Sequence, residues 1–333
     1  MIVLQQLING VSLGSIYALI ALGYTMVYGI ILLINFAHGN LLMVGAYTAF
    51  FTLVGISAGP WGMALAFVAA MVVCMIFGVT IEYFAYRPLR TSPRLNALIT
   101  AIAVSLILEN GARVLPFVGP NHRMFPRPTV VSFDLGAGLS NIAGWFMETG
   151  SRLLSFIGPN SGQHYPLDVG IDLGELSINS NQIIVIILSA LLMIALNYVV
   201  NHTKRGKAMQ AVSFDKQAAS LMGISVNRII TYTFAIGSLL AGAGGILYAI
   251  TYPMIFPTMG MMPGLNAFVA AVLGGIGSIP GAMLGGFILG IAQTFASGFI
   301  SSEFADAITF SILIIVLLFR PAGILGKKMR VKV

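Results

Sequence analysis

The sequence predicts an all-α, polytopic integral membrane protein with about 8–10 transmembrane helices, some broken at glycine-rich stretches. Three observations carry this. Hydrophobic residues make up 58% of the 333 and charged residues only 8%, with a mean hydropathy of +0.95, against roughly 45–50% apolar and about 25% charged in soluble domains. Apolar runs recur at about 20 residues, the length a helix needs to cross a hydrocarbon core about 30 Å thick. The basic residues collect in short stretches between those runs, so the formal charge of +7 reads as a topology signal and not as a nucleic-acid footprint.

Taken in order, the runs place spans near 8–34, 40–58, 62–84, 95–112, 182–200, 229–252, 264–300 as a glycine-broken pair, and 304–319. No basic residue precedes Arg87, so the first run lacks the charged leading region of a secretory signal peptide and is expected to stay in the protein. Cys74 is the single cysteine, which leaves no disulfide framework and no cysteine-based metal site.

Charge sorting orients the spans. Arg87, Arg90 and Arg94 form one basic cluster. Lys204, Arg205, Lys207, Lys216 and Arg228 form a second, and Arg320, Lys327, Lys328, Arg330 and Lys332 a third. These clusters are expected on the cytoplasmic side. The segment 113–181 has no lysine, and its arginines are offset by Asp134, Glu148, Asp168, Asp172 and Glu175, so it is expected to face outward. Within it "WFMETGSRLLSFIG", 145–158, fits either a helix lying in the membrane interface or an irregular insertion. Counting spans puts the amino terminus, Glu303 and Asp306 outside.

Enzyme signatures are absent. "GILGKK", 323–328, has the wrong spacing for a phosphate loop. His38, His122, His164 and His202 never pair at helical spacing, so no helical metal pair forms. An ion-coupled secondary carrier usually depends on ionisable residues in mid-membrane. Here Glu82 and Glu109 fall at span ends, which leaves that class as an alternative with little support.

The stretch "NHTKRGKAMQAVSFDKQAASLMGISVNRI", 201–229, is too long for a simple turn. Ala208, Ala211, Val212, Ala218, Ala219 and Met222 recur as in one or two short amphipathic helices, and Gly223 permits a left-handed exit. Such an element could be gripped by another protein or be an ordinary connection. Gln217, Ala218, Ala219 and Gly223 resemble the Glu-Ala-Ala-x-x-x-Gly loop by which permease subunits of binding-protein-dependent ABC importers dock on their ATPases. Gln217 stands where that loop has glutamate.

Further blocks extend the likeness: "NGVSLGSIYALIALGYTMVYGI" (9–30), "INFAHGNLLMVGAY" (34–47), "AVLGGIGSIPGAMLGG" (271–286) and "RPAGILG" (320–326). Together they resemble the branched-chain amino acid ABC permease family, and most of all the smaller of its two permease subunits. The resemblance covers most of 5–118 and 180–326. It implies a single permease domain over 1–333 that imports leucine, isoleucine and valine by alternating access and is not itself an enzyme. The implied partners are ATP-binding subunits, which use the ATP and magnesium, a second permease subunit of different sequence, and a soluble substrate-binding protein. No cofactor on this chain is implied, and the expected location is the bacterial cytoplasmic (inner) membrane. Urea or a short amide is the alternative cargo within the family.

Backbone freed by a broken helix is tolerated in a membrane only where protein or a watery cavity surrounds it. Gly274, Gly275, Gly277, Pro280 and Gly281 are therefore expected to form a bend packed inside the protein. The pairs 10/14, 281/285 and 286/290 are expected to let helices approach closely. In "INFAHGN", Gly39 is expected to allow a turn, with Asn35, His38 and Asn40 supplying partners for freed backbone. The same three side chains could instead line the substrate pathway, because a zwitterion in transit needs polar partners. Both readings stand at this level.

Overall fold

The structure, a computed structural model, describes residues 2–31, 35–56, 60–90, 92–126, 170–172 and 177–326. Among these residues seven helices are long and apolar enough to cross a membrane, and two shorter apolar helices accompany them. The long ones are α1 (Ile2–Ile31), α2 (His38–Ile56), α3 (Pro60–Ile81), α4 (Arg94–Val114), α5 (Ser180–His202), α8 (Val226–Thr251) and α10 (Ile279–Phe299). Between α5 and α8 run two short polar helices, α6 (Lys204–Phe214) and α7 (Lys216–Leu221); the short apolar pair is α9 (Met261–Gly274) and α11 (Phe304–Phe319). Most of the expected outer segment lies outside the described residues, including the candidate interfacial helix at 145–158.

Helix α1 has no charged residue and is apolar on all sides, which suits a helix with no solvent-facing surface. It forms the axis of the bundle: 83% of an apolar 18-residue stretch of it is buried, against 17% for the matching stretch of α4, whose apolar flank is left for lipid. Small residues set how closely the helices meet. Gly10 and Gly14 face α10, where a Cβ on Gly14 would lie 2.8 Å from the Phe287 Cα. Gly45 of α2 meets Gly242 of α8 in the same way, at 2.7 Å from its Cα. With no hydrophobic driving force between helices in lipid, such backbone approach supplies the van der Waals contact that holds them.

The glycine-rich bend falls between α9 and α10. Gly274 closes α9, and Gly275 (φ 105°) and Gly277 (φ 91°) take left-handed backbone that residues with a Cβ rarely adopt. The Ser278 hydroxyl caps α10 by accepting from Gly281 N at 3.2 Å, with Pro280 in the first turn. Pro280 and Gly281 are thus part of a helix start. The last carbonyls of α9 find partners in the "RPAGILG" block: Ile324 N donates to Leu273 O and Leu325 N to Gly274 O, both at 2.9 Å. Two blocks nearly 50 residues apart in sequence therefore complete one helix end.

Gly39 corrects an expectation. It is not the turn itself: it lies in the first turn of α2 without a positive φ. The reversal comes before it. Its lack of a side chain serves close approach instead, since a Cβ there would lie 2.6 Å from Gly260 O and 3.1 Å from the Gly264 Cα.

Extended pairing is confined, among described residues, to two ribbons. β1 (Arg123–Met124) pairs antiparallel with β4 (Met254–Ile255), and β2 (Gly170–Asp172) with β3 (Ser177–Asn179).

Candidate functional site

Three places in the bundle carry polar or exposed groups that packing alone does not require. The first is the break before α2. The Asn35 carboxamide oxygen accepts from Ala37 N at 3.1 Å and from the Tyr86 hydroxyl at 2.9 Å. Asn40 Nδ2 donates to the backbone oxygen and the hydroxyl of Ser105 in α4, at 2.6 and 2.7 Å. His38 lies edge-on to Tyr24, with ring centroids 4.6 Å apart, and its Nε2 has no hydrogen-bond partner. All three side chains are buried. Asn35 satisfies freed backbone, Asn40 ties α2 to α4, and His38 fills space beside Gly23.

The second place is the α6–α7 hook. Thr203 caps α6 through Gly206 N at 3.0 Å, and Asp215 caps α7 by accepting from Gln217 N and Ala218 N at 2.9 and 3.0 Å. The anticipated short helices are therefore two, broken at Asp215. Gly223 leaves α7 at φ 81°, and Ile224 N returns to Ala219 O at 3.0 Å. Ala219 is buried, whereas Gln217, Ala218 and Gly223 are exposed. Beside them Phe214, Leu221 and Met222 are more than 80% exposed, an apolar cluster on a polar hook.

An ion pair lies near this hook. The Glu82 side chain, fully enclosed at the end of α3, meets the Arg90 guanidinium, which also donates to Asn227 in the first turn of α8. The Thr231 hydroxyl donates to the second Glu82 oxygen at 2.7 Å. Glu82 opens a five-residue π-helical turn, Glu82–Tyr86, closed by Arg87 N donating to Glu82 O at 2.8 Å; such turns often occur at functional sites. Lys216 of α7 lies close enough for its ammonium to be lowered from its ordinary value, by burial first and by the Arg90 charge second. Glu82 was legible in sequence only as a carboxylate at a span end, and Arg90 only as a topology charge.

The third place is a cavity of about 410 Å³ between α1, α5, α8, α10 and α11. It lies at the end of the bundle away from Arg90, Lys204 and Arg320, since α1 and α11 begin there while α8 and α10 end there. At its floor the Tyr17 hydroxyl donates to Gln293 Oε1 at 2.7 Å, and Gln293 Nε2 donates to the Thr309 hydroxyl at 2.7 Å. Near its mouth Gln182 Nε2 donates to Asn9 Oδ1 at 2.7 Å. Asp306 lines it as well. Neither Asn35, His38 nor Asn40 reaches this cavity. The available sequence signal was Asp306 and Gln293 as polar residues in apolar helices, without anything to bring them together. Among the described residues no three His, Cys, Asp or Glu side chains gather as a metal site.

Comparison with known proteins bears on what these places serve. Residues 6–317 match the family described as "Branched-chain amino acid transport system / permease component". The chain is 42% identical to the high-affinity branched-chain amino acid transport system permease protein LivH of Escherichia coli (strain K12), over 97% of this chain and 96% of the relative. It is 39% identical, over the same shares, to the corresponding permease protein BraD of Pseudomonas aeruginosa. Likeness to LivM of E. coli is weaker, 25% identity over 94% of this chain and 68% of the relative. No solved structure matches.

Proposed function

Because the chain belongs to the branched-chain amino acid transport system permease family, we propose that it is the membrane-spanning permease subunit of an ABC importer for leucine, isoleucine and valine. The observation that carries this reading is likeness at 42% identity along nearly the whole chain to a permease of that name. The chain is a multi-pass membrane protein, and we place it in the bacterial cytoplasmic membrane with the basic clusters inward and the 113–181 segment outward.

In this reading ATP is bound and hydrolysed, with magnesium, by partner subunits, and a soluble binding protein delivers the cargo. A second, different permease completes the passage; the weaker likeness to LivM, a permease with its own name, supports an unlike pair. The 201–228 loop docks on an ATPase through Gln217, Ala218, Ala219 and Gly223. The exposed Phe214, Leu221 and Met222 give that contact an apolar centre. Glu82 and Arg90 carry its displacement into α3 and α8. The cavity at the opposite end and the break at Asn35, His38 and Asn40 lie along the axis helix α1 that such rocking would move. An ion-coupled carrier has less support, since the glutamates at the span ends are engaged, Glu82 with Arg90 and Glu109 with Arg113 at 2.8 Å.

The test is uptake of labelled leucine beside labelled urea in cells lacking their own systems, expressing this chain with its partner subunits. ATP-dependent leucine uptake that urea does not compete is expected. Uptake by this chain alone would overturn the importer reading, and urea uptake in place of leucine would change the cargo.

A further inference from the structure

The cavity has an electrostatic property that the hydrogen-bond network does not use up. Among the described residues, Asp306, in the first turn of α11, is the single acidic residue lining it, and no basic side chain lines it. The carboxylate makes no ion pair among the described residues. Its Oδ1 receives only two amide contacts, from Asn266 Nδ2 at 3.4 Å and Gln293 Nε2 at 3.5 Å, both at the outer limit for a hydrogen bond. Each amide nitrogen has a shorter partner, Asn266 in the Tyr17 hydroxyl at 3.3 Å and Gln293 in the Thr309 hydroxyl at 2.7 Å. The carboxylate therefore keeps most of its acceptor capacity. Behind it, Asn266 is buried with Oδ1 unpartnered.

A cavity with an under-used carboxylate and an apolar flank from Leu13 and Ala305 matches one kind of molecule. We propose that it is a transit site for an α-amino acid zwitterion, with Asp306 holding the ammonium. A primary ammonium brings three donors and no acceptor, which answers the acceptor excess around Asp306. The volume falls in the usual range of small-ligand sites, about 300–1,000 Å³, and exceeds what two hydrogen bonds need, leaving room for a branched apolar side chain. The proposal rests on the importer reading and adds to it the place in this chain where the cargo is held.

The test uses the assembled transporter in lipid nanodiscs, with a thiol placed in the cavity as Ser297→Cys. Cys74 is buried, so the new thiol is the reactive one in this chain, and its modification is read by mass spectrometry of its own peptide. With each reagent's rate taken relative to its rate with a small free thiol, a trimethylammonium methanethiosulfonate is expected to react about tenfold faster than its sulfonate counterpart. Leucine is expected to slow the reaction, and 4-methylpentanoate, which lacks the amino group, to leave it unchanged. Adding Asp306→Asn should erase both the charge preference and the protection, while Asp306→Glu keeps them. Equal rates for the two reagents, or equal protection by leucine and 4-methylpentanoate, would overturn the proposal. Protection by sodium chloride that N-methylglucamine chloride at the same ionic strength does not give would assign the site to a metal cation instead. If the Asp306→Asn complex does not assemble, the single Ser297→Cys variant still decides through charge preference and analogue selectivity. Leucine import by the unlabelled complex without protection would sink this site and leave the importer reading standing; no import at all would sink that reading first.

Discussion

Glu82 and Arg90, eight residues apart in sequence, form an ion pair in which the carboxylate is fully enclosed and the guanidinium side chain is 17% exposed. Through Asn227 and Thr231 the pair joins the end of α3 to the first two turns of α8, and the Arg90 charge is felt at Lys216 of α7. Removing one member of a buried pair leaves an uncompensated charge. Arg90→Ala is expected to cost roughly 3 kcal/mol in the detergent-solubilised protein, the low end for buried pairs because Arg90 keeps some contact with solvent. Glu82→Gln combined with Arg90→Ala should recover part of that loss. Thermal denaturation of the two single variants and the double would show it, and strictly additive losses would mean that the pair is not coupled.

The hook makes a second expectation. Gly223 sits at φ 81°, which proline cannot adopt because its ring holds φ near −65°. Gly223→Pro should leave the protein inserted and assembled with its permease partner while uptake falls and ATP hydrolysis continues without it. Met222→Asp, on the exposed apolar cluster, should release the ATPases from the purified complex. Normal uptake at normal expression in both variants would remove the docking role.

His38 offers a test between a packing role and a transport role. Its ring is buried against Gly23 and Tyr24 and stands outside the cavity. Truncation to alanine should destabilise by about 2–5 kcal/mol, the range for large-to-small core changes. The measurement is the yield and melting temperature of folded protein; a variant that folds normally but transports slowly would instead place His38 on the passage.

Glycines that look alike in sequence should behave differently. Gly45→Ala places a Cβ 2.7 Å from the Gly242 Cα, whereas one at Gly55 meets nothing within 4 Å. The first substitution is expected to cost about 1–3 kcal/mol through overpacking. The second should be neutral or gain up to about 1 kcal/mol from helix propensity. Parallel melting curves decide, and equal effects would show that the α2–α8 approach is not close.

Much of the molecule was legible because a bilayer imposes few solutions. Apolar runs of spanning length located α1, α2, α3, α4, α5, α8, α10 and α11 within several residues, and the glycine cluster at 274–281 marked the bend between α9 and α10. The left-handed exit at Gly223 was equally local, whereas the cap at Asp215 was not read from the sequence. Gly39 was misread as the turn because a glycine beside polar residues is ambiguous in one dimension: the same residue serves a reversal or a close helix approach, and only the neighbouring backbone of Gly260 and Gly264 distinguishes them.

What the sequence by itself determined is therefore what depends on adjacent residues: span length, helix ends, the signs of the loops, and the blocks that resemble a permease family. The tertiary structure alone decided the rest. It set Tyr17 against Gln293 across 276 residues of chain, turned Asp306 toward a shared cavity, and joined Arg90 to α8. Such pairings arise from helix crossings set by many small van der Waals contacts spread over the bundle, and no local pattern along the chain encodes which faces will meet.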